Sequence, residues 1–209
     1  MKEKEENSIP VIDDDKVTFF KNKIENSPTF YMHYYKLGEA LEKTGQLDGA
    51  IAAYKRSTEL NNKYSFSYDS LARVLVTKGQ IDEAIETYRN AIKLNPNFYG
   101  FHYSLALAAF KKDYLDEALT ELQKCVDENC IHYPSYELIG EILIKQGKLK
   151  EAIASYEKLL NLDTDINRSN NILKAVYDLK NNVNSNQINI SSSFWHHLQL
   201  NSDFWNQNQ

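Results

Sequence analysis

Gly38, Ala72, Ala106 and Gly140 stand 34 residues apart, and other columns keep the same period. Leu37, Leu71, Leu105 and Ile139 form one; Ala50, Ala84, Ala118 and Ala152 another. Tyr54, Tyr88, Leu122 and Tyr156 form a third, and Gly45, Gly79, Asp113 and Gly147 a fourth. No insertion breaks the register from Tyr31 to Ile166. A unit this short cannot bury an apolar face alone, so it must stack on its neighbours. That constraint rules out a fold built on one central core and predicts an array.

Within each unit the apolar residues recur at helical spacing. In the second, Tyr68, Leu71, Val74 and Leu75 mark one helix, and Ile81, Ala84, Ile85, Tyr88 and Ile92 the next. The reading is a pair of helices per unit, at 31–44 and 47–60, 65–78 and 81–94, 99–112 and 115–128, 133–146 and 149–162. Between the two helices Gly45, Gly79 and Gly147 supply a left-handed residue, and Asp113 substitutes for glycine in the third unit. The small column at Gly38, Ala72, Ala106 and Gly140 is expected to face the alanine column of the second helix, so that Gly140 meets Ala152. Asn95-Pro96 ends the second helix of unit two, because proline cannot continue it.

These columns resemble the tetratricopeptide repeat (TPR) family, whose pattern reads here as Tyr68, Leu71, Ala72, Leu75, Gly79, Ala84, Tyr88, Ala91 and Pro96. The wording of units one and two is similar to bacterial, especially cyanobacterial, TPR arrays. The resemblance implies an all-α protein, a right-handed α-solenoid of antiparallel helix pairs, with repeats at 31–64, 65–98, 99–132 and 133–166. It also implies that first helices line a concave groove that binds a protein or peptide segment. By register the partner-binding residues are Tyr35 and Glu39; Phe66, Asp69 and Arg73; Tyr103, Leu107 and Phe110; Glu137 and Glu141. Packing between neighbouring units is the competing role for Tyr35, Tyr103, Leu107 and Phe110. Chaperone-binding members clamp a C-terminal carboxylate at positions that correspond here to Tyr35, Glu39 and Ser70. Glu39 would repel such a group, which argues against that ligand.

The frame extends beyond the four units. Val17, Phe20 and Ile24 follow Asp13-Asp14-Asp15 as a lone second-type helix at 14–26, within an N-terminal cap at 13–30. Residues 1–12 are expected to be disordered. A C-terminal capping helix is expected near 168–181, within a cap at 167–182, its apolar slots filled by Ile172, Leu173, Val176 and Tyr177. The tail, 183–209, is rich in Asn, Gln and Ser and is expected to be mobile coil. It carries Phe194-Trp195 and Phe204-Trp205, the chain's two tryptophans. These read as a decayed repeat or as a binding motif, with self-association through the tail as one use.

The chemistry of the chain points away from catalysis. Charge is spread evenly, 24 Lys+Arg against 29 Asp+Glu, with no basic segment for nucleic acid. No apolar run approaches a membrane span, and the N-terminus lacks a signal-peptide stretch, so a cytoplasmic protein is expected. Cys125, Cys130 and His132 give three ligands where zinc wants four, and Cys125 sits in a small core slot. His196 and His197 are adjacent and diverge on a helix. Glu39/Glu42 and Glu137/Glu141 read as solvated helical acids. We expect no catalytic residue, metal or cofactor, and a non-enzymatic interaction scaffold. The alternatives are a substrate-presenting or targeting module for a separately encoded glycosyl-, methyl- or sulfotransferase, and a homo-oligomeric packing element.

Overall fold

A computed structural model describes residues 13–127, 132–162, 172–174 and 176–181. The described residues form α1 (Asp13–Asn26), then the pairs α2 (Tyr31–Lys43) and α3 (Leu47–Leu60), and α4 (Ser65–Thr77) and α5 (Ile81–Leu94). After them come α6 (Tyr99–Lys111), α7 (Leu115–Asp127), α8 (Tyr133–Lys145) and α9 (Leu149–Leu162). Residues 172–174 and 176–181 are helical too, and the described residues contain no strand. Each of α1 to α9 matches its expected range to within one residue at either end, because periodicity and turn chemistry are local signals, and the start of the helix expected at 168–181 lies outside the described residues.

The turns close as expected. Gly45, Gly79 and Gly147 have φ of +73°, +77° and +74°, and Asp113 adopts +64°. After α2, the amide of Gln46 donates to the Leu41 carbonyl at 2.8 Å and that of Gly45 to Glu42 at 3.0 Å. This crossed pair satisfies carbonyls that the helix end would otherwise leave open. It recurs after α4 (Gln80 to Leu75, 2.9 Å) and α8 (Lys148 to Leu143, 2.8 Å).

The chain divides into two compact units, Met1–Lys112 and Asp113–Gln209. In the first, α1 lays Val17 into the core beside Leu37, Leu41, Tyr54, Leu71, Leu75 and Tyr88, with Phe20 and Ile24 packed against it. Stacking repeats leave one period's turn beside the previous period's second helix. Thus Lys78 pairs with Asp48, and Lys112 with Asp82 at 2.9 Å. In the second unit, Gln146 donates to Asp116 at 3.0 Å in the same frame. Ser57 is fully buried between repeats, 2.7 Å from Ser67 Oγ and donating to the Tyr31 carbonyl at 3.1 Å.

Two packing expectations need correction. The nearest atoms to a Cβ at Gly140 belong to the Tyr156 ring, at 2.4 Å, and those at Gly38 to the Tyr54 ring, at 2.5 Å. Gly38 and Gly140 therefore meet the rings of Tyr54 and Tyr156 first, each a flat group that fills the close approach beside the glycine. In the second unit's core, Ile172, Val176 and Leu179 are buried with Leu143, Tyr156 and Leu159. Leu173 and Tyr177 instead point outward, 53% and 66% exposed. The helix is rotated so that Leu179, not Tyr177, completes the apolar stripe.

Candidate functional site

The first helices α2 and α4 present one face of the first unit, and an ion-pair network crosses it. Glu42 of α2 accepts two bonds from the Arg73 guanidinium of α4, one through Nη1 and one through Nη2 at 3.1 Å. Tyr54, rising from α3, donates its hydroxyl to Glu42 at 3.1 Å. The fork of arginine matches a carboxylate in this two-bond geometry. One turn before Arg73 stands Asp69. Burial pushes its carboxyl above the ordinary value; Arg73 opposes the shift and Glu42 adds to it.

An aromatic cluster borders the network. Tyr35 packs against Tyr54 (centroids 5.7 Å) and edge-on against Tyr64 (5.3 Å). Tyr64 in turn contacts Tyr31 (5.1 Å) and Phe66 (5.6 Å). Burial pushes the Tyr35 phenol up to about 12; hydrogen bonding with Ser70 works against this and the charge of Glu39 adds to it. Phe66 is 52% exposed at the edge of the cluster. Phe66, Asp69 and Arg73 fall at i, i+3 and i+7, on one face of α4. On α6, Tyr103, Leu107 and Phe110 are half-buried.

The second unit has its own version of this face, on α8. Glu137 and Glu141 flank Gly140, against which the Tyr156 ring rests. Burial raises the Glu141 carboxyl; Lys145 opposes this and Glu137 adds to it. Burial also raises the Tyr156 phenol, followed by the charges of Glu141 and then Glu137. Lys145 bonds Asp113 at 2.5 Å.

Sequence models of the family match most of the array: the TPR repeat over 72–113, and the tetratricopeptide repeat over 34–64 and 133–166. The chain belongs to the tetratricopeptide repeat family. Its fold is similar to the crystal structure of MamA, 22% identical, covering 71% of this chain and 87% of that one, TM-score 0.68. It is also similar to YrrB, a TPR protein with an unusual peptide-binding site: 20% identity, 86% and 90% coverage, TM-score 0.64. TTC0263, a thermophilic TPR protein in Thermus thermophilus, is 20% identical over 80% and 90%, TM-score 0.55. No curated protein matches the sequence. At these identities the likeness is one of fold.

In this TPR array Tyr35 hydrogen-bonds with Ser70 and lies beside Glu39, which is bonded to Lys36 at 2.7 Å. The paired acids are less solvated than the sequence suggested. Glu42 is 22% exposed, and Glu141 is partly buried, because each packs beside a large tyrosine. Cys125 is fully buried and its thiol donates to the Glu121 carbonyl at 3.5 Å, which fits its core slot. His132 bonds Ser135 at 2.7 Å, and Cys130 lies outside the described residues. Among the described residues no three metal-ligating side chains converge, and no helix is long and apolar enough to cross a membrane. Phe194, Trp195, Phe204 and Trp205 lie outside the described residues, as do 1–12 and the whole of 183–209. The network tyrosine Tyr54, and Tyr156 in the same column, were legible only as core positions. The signal that could have found them is glycine rather than alanine at 38 and 140, which makes room for a ring.

Proposed function

We propose that this TPR protein is a non-enzymatic scaffold that binds an extended or helical segment of a protein partner along its first helices. The supporting observation is the α4 face, where exposed Phe66 extends an aromatic cluster beside Asp69 and the half-exposed Arg73. A rigid ring at the edge of a packed cluster offers contact area at little entropic cost, and the neighbouring charges set register. Tyr35, Glu39, Tyr103, Leu107 and Phe110 extend this surface within the first unit, and Glu137 and Glu141 supply the surface of the second. The partner is protein rather than nucleic acid, because the faces carry carboxylates where a phosphate backbone needs cations. A cytoplasmic setting and self-association through the tail stay part of this reading.

The test is affinity capture from source-cell extract with wild type, Phe66→Ser, and Lys93→Ala on the second-type helix α5 as a control. The partner should be retained by wild type and the α5 control and lost with Phe66→Ser. Retention by all three would remove the α4 face from the binding surface. A captured transferase whose product disappears on deletion of this protein would favour the targeting role instead.

A further inference from the structure

Asp69 stands half-buried on the α4 face, between Phe66 and Arg73. The charges of Arg73 and Glu42 reach its carboxyl, but among the described residues no group donates a hydrogen bond to it. Arg73 directs its fork to Glu42, and Lys36 of α2 bonds Glu39 at 2.7 Å. A carboxylate drawn out of water without a donor costs the folded state free energy. No bond within the fold accounts for a carboxyl at this position.

Rings stand on both sides of it. Tyr35 of α2 reaches across to hydrogen-bond with Ser70, the residue after Asp69. Toward α6, the Tyr88 phenol feels the Asp69 charge and hydrogen-bonds with Ser104, the residue after Tyr103. Tyr35, Asp69 and Tyr103 are one period apart, so the carboxyl takes the middle place in a column whose outer members are tyrosines. Phe66, three residues before Asp69 and 52% exposed, lies on the same side of α4. With both carboxyls ionised, Asp69 and Glu42 against Arg73 leave one negative charge in excess.

A lysine ammonium answers both the charge and the rings, and α2 shows that this face can hold one. Lys36 Nζ is 2.7 Å from Glu39 and 5.4 Å from the centroid of the Tyr35 ring, within the range at which a ring attracts a cation. We infer that the first unit takes a lysine side chain of the bound partner, its ammonium on the Asp69 carboxylate and its stem along Phe66, between the Tyr35 and Tyr103 positions. Lysine fits better than arginine, because a compact ammonium on a long apolar stem reaches a recessed carboxyl. A planar guanidinium would crowd that of Arg73, one turn away. The inference rests on the peptide-binding reading and adds the chemistry of one partner residue. Asp69 is then kept at a cost to the free protein because binding uses it.

The test uses the full chain and a displayed library of short random peptides. Selected binders should share a lysine. Replacing it by norleucine, which keeps the stem and removes the charge, should weaken binding roughly tenfold or more in calorimetry. Asp69→Asn should weaken the lysine peptide by a similar factor and leave the norleucine peptide unchanged, while the thermal midpoint of the free protein rises. Asp69→Ser, a second neutral variant, should show the same selective loss. Glu59→Gln, which removes one negative charge from the second-type helix α3, should bind as wild type does. A carboxyl with a merely structural role would change both peptides alike. Binders that share arginine or carry no cation, or a lysine that contributes equally in wild type and Asp69→Asn, overturn the inference and leave the peptide reading standing. A library that yields no binder at all overturns the peptide reading itself.

Discussion

Gly38→Ala separates two costs that the structure ties together. The added Cβ would lie 2.5 Å from Tyr54 Cε1, 2.7 Å from Cδ1 and 2.8 Å from Cζ. Ordinary contact begins near 3.4 Å, so the ring must retreat by about 1 Å in a core where Tyr54 has no exposed surface. Overpacking of this kind costs ~1–3 kcal/mol, against a gain of about 1 kcal/mol for alanine over glycine in a helix. Moving the ring also breaks the bond from its hydroxyl to Glu42, and bonds to charged groups contribute ~1.5–3 kcal/mol. The net expectation is a loss of roughly 2–4 kcal/mol. Tyr54→Phe removes the bond and keeps the ring, so in that background Gly38→Ala should cost only the overpacking part. A double-mutant cycle in urea, followed by circular dichroism, should return a coupling of about 1.5 kcal/mol or more. Additive energies in the cycle, or a stabilised Gly38→Ala protein, would show that the ring yields without strain and refute the argument.

Three further outcomes follow from named contacts. At Gly45, Gly79 and Gly147 an added Cβ meets no atom within 4 Å, so alanine pays only for the left-handed backbone, about 1 kcal/mol at each site by urea denaturation. Asp69→Asn should raise the thermal midpoint at neutral pH. Burial raises the Asp69 carboxyl, so the folded state keeps its proton above the ordinary carboxylate value. Stability therefore falls as pH climbs through that window, and the variant should lack this part of the decline in midpoints measured from about pH 4 to pH 7. Ser57→Ala leaves Ser67 Oγ and the Tyr31 carbonyl without their buried partner and should cost ~1–3 kcal/mol, read from the urea midpoint.

Helix pairs, their bounds and their turns were legible in the sequence because each depends on neighbours along the chain. The spacing of Tyr68, Leu71, Val74 and Leu75 reports a helical face, and a glycine three or four residues on reports its left-handed end. The register of the repeats then carried Tyr35, Glu39 and Ser70 to one place, since identical units stack alike.

What the tertiary structure alone decided is which hydroxyl meets which acceptor. Three tyrosines share a column: Tyr54 reaches Glu42, Tyr88 bonds with Ser104, and Tyr156 has no partner. Glu42 and Arg73 are 31 residues apart and belong to different repeats. The same holds for the rotation that buries Leu179 and exposes Tyr177. Periodicity fixes a face to within about one residue, or 100° of helix. A hydrogen bond is made or lost over a few tenths of an ångström, and that distance is set only when the helices have packed.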